Sequence, residues 1–186
     1  VGHGARFHMK SIKAFAELMN CPVMTTFKAK GQISDRHQLG CGVLGRSGTP
    51  IASYFMNEAD LLLVVGASFS NHTGITPKKS TIQIDFDPLA LGKFHEIDVS
   101  VFGEISRTME LLLARSKEVT SNKKDQRNEI RDRWKIWRAE KKIRLKEDRG
   151  QGLSAISIFD SLTRIAPENA IMCVDVGNNA YSFGRY

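Results

Sequence analysis

Four stretches of this chain carry residue types suited to holding a phosphorylated ligand. Val1-Gly2-His3-Gly4-Ala5 sets two glycines ahead of a helical pattern. Backbone without Cβ atoms can close on a phosphate, and a helix N-terminus favours the anion. The G-x-G-x-x-G spacing fails at Phe7, so a tight turn with no ligand fits these residues equally well. Gly45-Arg46-Ser47-Gly48-Thr49 precedes a second helix. Arg46 suits bidentate pairing with phosphate, and the Ser47 and Thr49 hydroxyls can assist. The alternative there is a helix cap beside a surface arginine. Gly66-Ala67-Ser68 ends an apolar run, and Asp85 and Asp87 flank the end of another. A carboxylate at that place can accept from ribose hydroxyls. Equally, Asp87-Pro88 is a turn-initiating pair with a capping carboxylate.

Other chemistries find no support in the residue pattern. The five histidines show neither i, i+4 spacing nor acidic or cysteine partners in a ligand pattern, so no metal site is read. Neither G-x-S-x-G nor G-x-x-x-x-G-K-[ST] occurs, which argues against a serine hydrolase or a P-loop nucleotidase. Cys21, Cys41 and Cys173 are an odd number and widely spaced. They read as reduced, small core or near-core residues in a cytoplasmic protein. The net charge of +7 is concentrated in residues 117–149, where thirteen Lys/Arg face seven Asp/Glu. Interspersed signs suggest a solvated helix rather than a nucleic-acid face. No apolar run reaches membrane-spanning length. The first residues lack a signal-peptide pattern and an initiator Met. We therefore expect a fragment that opens inside or just after a strand.

The elements that must position these residues follow from periodicity. Lys10 to Met19 carries a helical stripe of Ile12, Phe15, Leu18 and Met19. Pro22 to Thr26 reads as a short strand, Lys28 to Gly48 mostly as loop, and Pro50 to Asn57 as a helix capped by Thr49. Leu61 to Val65 is continuous enough to be a strand buried on both faces. Thr81 to Asp85 and Val99 to Val101 are further strands, and Ser106 to Ser116 a helix. This alternation predicts an α/β fold: a Rossmann-like parallel sheet with helices on both faces over residues 1–116. A charged helical linker, 117–152, would lay a stripe of Ile130, Trp134, Trp137, Ile143 and Leu145 on the main body, with a partner or membrane surface as the alternative for it. From 153 the α/β pattern restarts. A helix to Ile165, a buried strand Ala170–Asp175 and a polar turn Val176–Asn179 would begin a second, partial α/β domain.

Taken in order, these motifs resemble the central domain of the acetolactate synthase and pyruvate oxidase family. The resemblance rests on the residue 1–5 turn, Cys21 to Thr26, Lys30-Gly31-Gln32-Ile33, Gly45 to Gly48, Glu58 to Ala67 and Ile82 to Pro88, in register over residues 1–115. Asp175-Val176-Gly177-Asn178-Asn179 resembles the opening of that family's diphosphate-binding domain. The resemblance implies thiamine diphosphate and Mg²⁺ acting on a 2-oxo acid between domains of a homodimer or homotetramer. It also implies FAD, ADP or nothing in the central domain, lined by Gly2, Gly4, Gly45 to Thr49, Gly66, Ala67, Ser68, Phe69, Asp85 and Asp87. The family's activating glutamate belongs to another domain, and its Gly-Asp-Gly metal motif does not occur here. No catalytic residue is therefore assigned, and the fragment is expected to be inactive alone. After the strand glycine the synthases carry an arginine and an acidic pair; Gly66-Ala67-Ser68-Phe69-Ser70-Asn71 has neither. That leans toward pyruvate oxidase or an unassigned member. A scaffold domain of the same family with no nucleotide remains the alternative.

Overall fold

A computed structural model describes residues 1–68, 70, 72–76, 78–118, 124–147, 150 and 152–186. After a 3₁₀ turn at His3–Ala5 come α1 (Met9–Met19), β1 (Val23–Thr25), β2 (Gly40–Val43) and α2 (Pro50–Glu58). Then follow β3 (Leu61–Val65), β4 (Ser80–Asp85), β5 (Val99–Phe102), α3 (Ile105–Ser116), α4 (Arg127–Arg144), α5 (Ala155–Ile165) and α6 (Asn178–Arg185). Local chemistry explains several boundaries. α1 buries Met9, Ile12 and Ala16 along one face and ends where Asn20 turns left-handed, at φ 54°. α2 starts at Pro50 because Thr49 caps it: the Thr49 hydroxyl accepts from Ala52 N–H at 3.1 Å and donates to Cys41 C=O at 2.6 Å.

All strand pairs are parallel, in two sheets ordered β1-β2 and β3-β4-β5. Residues 1 and 2 tie the sheets together. Val1 N–H donates to Met24 C=O at 2.8 Å, and Thr26 N–H donates to Val1 C=O at 2.9 Å. Gly2 N–H donates to Val65 C=O at 2.9 Å. The lateral order is therefore β2, β1, residues 1–2, β3, β4, β5. From residue 1 the chain moves out to β1 and β2, then returns across to β3 and continues the other way. The order of strands reverses between residues 1–2 and β3, which is the switch point where crevices form in such sheets.

Helices flank the sheets, as the sequence predicts. α1 packs on α3, while α2 packs on β2 and α4. The stripe on α4 docks on the main body in part: Ile130, Trp134 and Trp137 are buried, Ile143 is exposed, and Trp134 Nε1–H donates to Gly40 C=O at 2.7 Å. Trp137 stacks on Tyr186 with ring centroids 5.8 Å apart. Part of the 117–152 linker lies outside the described residues. No helix among those described is long and apolar enough to cross a membrane.

Several sequence expectations need correction. Gly40–Val43, expected as loop, is a strand with all four residues buried. Ala170–Asp175 is not a buried strand: it runs without strand pairing, with Ile171 92% exposed. A strand needs a neighbour for its backbone groups, and no described strand lies beside it. The polar turn is also wrong beyond Gly177, because Asn178 begins α6. Cys173 is exposed rather than in or near the core, since it belongs to that unpaired segment. Leu61, at the start of β3, is half exposed.

Candidate functional site

Parallel strands deliver their following loops to one rim, so the glycine and aspartate stretches share the carboxyl ends of the sheet. At the switch point two turns meet backbone to backbone. Gly4 N–H donates to Gly66 C=O at 2.9 Å, and Gly66 N–H donates to Ile84 C=O at 2.9 Å. Gly66 sits at φ +61°, and a Cβ there would lie 2.4 Å from Ala5 N. A Cβ on Gly2 would lie 2.1 Å from Gly66 O. Only glycine fits at either place, so the close approach is written into the residue types. The N–H groups of His3, Ala67 and Ser68, in these same two turns, have no hydrogen-bond partner among the described residues. Gly2, Gly4, Gly66, Ala67 and Ser68 are thus brought together; Phe69 lies outside the described residues.

Asp85 and Asp87 stand next along the rim. Asp85 is buried and its Oδ1 accepts from Asp87 N–H at 3.0 Å. Asp87 Oδ1 accepts from Leu89 N–H at 2.9 Å and caps the short 3₁₀ turn Pro88–Ala90. Both carboxylates therefore shape the turn, whatever else they bind. Gly45 to Thr49 joins the rim from the other side. Arg46 N–H donates to His72 C=O at 3.4 Å, and Gly48 N–H donates to Gly45 C=O at 2.9 Å. α6 covers part of this loop: Arg185 Nε donates to Gly48 C=O at 3.4 Å, and Gly184 packs against Ser47. Lys30 Nζ donates to Gly184 C=O at 3.4 Å. Burial pushes the Lys30 amine down, while the charge of Asp35 pulls it up.

Gln83 was missed by sequence reasoning. It is fully buried in β4. Its Nε2 donates to Ala67 C=O at 3.1 Å and Ala90 C=O at 3.0 Å, and its Oε1 accepts from Gly92 N–H at 2.9 Å. One side chain thereby pins the loop after β3 to the loop after β4. The signal was a lone amide between Ile82 and Ile84 in an otherwise inward-facing strand. At the far end of the rim His8 Nδ1 bonds Ser106 Oγ at 2.5 Å, linking the N-termini of α1 and α3. Glu104 caps α3 through Arg107 N–H at 2.7 Å and Ser106 N–H at 3.0 Å. Those two N–H groups hold its carboxyl below the ordinary range. Among the described residues no cluster of three or more His, Cys, Asp or Glu side chains that could hold a metal forms.

A Rossmann-like parallel α/β domain, doubly wound about the Gly2–Gly66 switch point, is the class these features define. The family described as "Thiamine pyrophosphate enzyme, central domain" matches residues 1–112, and the chain belongs to that family. It is similar to the pyruvate oxidase of Lactiplantibacillus plantarum, 32% identical over 189 aligned residues, covering 100% of this chain and 31% of that protein. A probable acetolactate synthase large subunit of Methanococcus aeolicus is 41% identical over 93 residues, 47% of this chain and 16% of that protein. The acetolactate synthase large subunit of Corynebacterium glutamicum is 29% identical over 179 residues, 91% of this chain and 28% of that protein. The chain spans less than a third of the length of each of these relatives.

Proposed function

We propose that this chain is the central part of a larger enzyme that decarboxylates or joins 2-oxo acids with thiamine diphosphate and Mg²⁺. On this reading its switch-point rim seats the ADP portion of FAD, or ADP itself. The observation that carries the proposal is the pair of apposed turns at Gly2–Gly4 and Gly66–Ser68. They leave the N–H groups of His3, Ala67 and Ser68 without partners among the described residues. Such unpaired N–H groups at a switch point suit a diphosphate. Gly2, Gly4, Gly66, Ala67 and Ser68 would hold that group. Asp85 and Asp87 stand where a ribose would lie, and Gly45 to Thr49, with Arg46, lies further along the rim. Bound FAD would supply a ring that takes and returns electrons.

Residues 153–186 would open the diphosphate-binding part. Ile158, Ile165, Ile171 and Val176 are exposed and offer apolar surface for it. Thiamine diphosphate and Mg²⁺ would be held outside residues 1–186, so this chain alone would be inactive. Assembly as a homodimer or homotetramer in the cytoplasm completes the proposal. A scaffold role without nucleotide is the second reading. It is favoured by the two aspartates' engagement in their own turn and by the packing of α6 on the Gly45–Thr49 loop. Calorimetric titration with ADP, FAD and FMN separates the two. The nucleotide reading expects ADP and FAD to bind and FMN not to. Binding of none favours the scaffold, and binding of FMN alone contradicts an ADP seat.

A further inference from the structure

Away from the nucleotide rim, α4 and the segment before β2 enclose a hollow of about 480 Å³. It lies at the amino end of β2, because Trp134 in its floor donates to Gly40 C=O, whereas Gly45 to Thr49 follows the carboxyl end. Four guanidinium groups, of Arg36, Arg127, Arg131 and Arg138, line it against two carboxylates, Asp35 and Asp125. Residues 127, 131 and 138 recur with Trp134 at three- and four-residue steps, so they share one side of α4. Both carboxylates are taken. Arg127 grips Asp125 through bonds of 2.8 and 2.6 Å. Asp35 stands in the field of Lys30, Arg138 and Lys141. The Arg36 guanidinium has no hydrogen bond or ion pair with another described residue, and Arg131 has only its exposed chain neighbour Asp132, at 3.3 Å.

Wall and floor are held in place beforehand. Ser34 Oγ accepts from Arg36 N–H at 3.1 Å, and Ser34 C=O accepts from His37 N–H at 2.9 Å. His37 Nδ1 accepts from Leu39 N–H at 3.2 Å, and His37 C=O accepts from Gly40 N–H at 2.9 Å. Across the gap Arg138 Nη2 donates to Asp35 C=O at 3.2 Å. Ile130 and Trp134 are buried beneath. We propose that this hollow binds a compact, non-aromatic anion with two or more oxyanion groups, either a small polycarboxylate or a diphosphate. Guanidinium groups fixed around one hollow repel each other, and a multiply charged anion removes that repulsion. Their planar forks take carboxylate or phosphate oxygens two at a time. The volume suits one small molecule. Arg138 lies over the Trp134 ring, 5.2 Å from its centroid, so a base finds no open face there for stacking. The hollow therefore differs in ligand as well as in place from the rim proposed to seat ADP.

Isothermal titration calorimetry with citrate and with pyrophosphate tests the proposal. Excess ADP is present throughout, and acetate at equal ionic strength is the reference. Citrate, pyrophosphate or both should bind saturably at one site per chain. Citrate alone assigns the ligand to the carboxylates, and pyrophosphate alone to the phosphates. Arg36→Gln combined with Arg131→Gln, both on exposed side chains, should weaken that binding about ten- to hundredfold. Lys135→Gln combined with Lys142→Gln removes the same charge from exposed positions of α4 outside the hollow and should leave it nearly unchanged. Thermal melts equal to the parent's establish that both double variants are folded. Heats no larger than those of acetate overturn the proposal, as do heats that appear only when ADP is left out. Undiminished binding in the arginine pair overturns it too. Equal losses in the arginine and lysine pairs also overturn it, since they would reduce the effect to the general field of a basic helix.

Discussion

Replacing Gly66 by alanine tests the apposed turns at the switch point. Two costs combine there. The residue sits at φ +61°, where a Cβ costs about 1–2 kcal/mol. That Cβ would also fall 2.4 Å from Ala5 N and 2.8 Å from Gly4 C, both backbone atoms that cannot rotate away. Forcing the two turns apart adds overpacking of about 1–3 kcal/mol. Gly31 is the control: its φ is +89°, yet an added Cβ meets nothing within 4 Å. Gly31→Ala should therefore carry the conformational cost alone, about 1 kcal/mol or a few degrees in Tm for a chain of this size. Gly66→Ala should lose about 3 kcal/mol, roughly three times the Tm shift. Urea unfolding followed by Trp fluorescence measures both. Equal losses in the two variants would refute close backbone approach between the Gly2–Gly4 and Gly66 turns.

Further outcomes follow from the same contacts. Gln83→Leu should cost about 2–4 kcal/mol by urea unfolding, since it leaves the carbonyls of Ala67 and Ala90 and the N–H of Gly92 unpaired. A loss under 1 kcal/mol would mean the loops are held by something else. Trp134→Phe keeps the ring in the seam but strands Gly40 C=O, and should cost about 1–3 kcal/mol in the same assay. Glu104 has a carboxyl held low in the folded state, so its contribution is full above its ordinary value of 4.5 and fades as pH falls through the lower folded value. Thermal melts between pH 7 and pH 3 should therefore show a shallower acid loss for Glu104→Gln than for the parent; identical slopes would contradict the cap. With a thiol reagent on the folded chain, Cys173 should react fast and Cys41 only on unfolding. Cys41 is fully buried and burial pushes its thiol up, whereas Cys173 is exposed.

Residues that state their own structure were legible in sequence. Leu61 to Val65 could only be an inner strand, Thr49-Pro50 could only open a helix, and Trp134 and Trp137 share one helical face that had to be covered. What escaped was structure set by neighbours. Gly40-Cys41-Gly42-Val43 has no strand-like side-chain pattern; it is a strand because bare backbone fits tightly there. A Cβ on Gly40 would lie 2.5 Å from Ser34 O. Ala170–Asp175 has the opposite fault: its apolar pattern suits a strand, but pairing is a property of two segments, and no described strand lies alongside. In the site, the strand ends at Gly2–Gly4, Gly66–Ser68 and Asp85–Asp87 were readable, whereas that before Gly45 to Thr49 was not, because Gly40–Val43 was read as loop. Tertiary packing decided the rest, such as Gln83 clamping two loops and α6 resting on Gly45 to Thr49.

An amide-resolved NMR titration of the chain with ADP tests the account most directly. The switch-point seat predicts saturable shifts that are largest at the amides of His3, Ala67 and Ser68, with weaker ones near Asp85. No shift at those three amides, or shifts centred on the basic surface of α4, would contradict it.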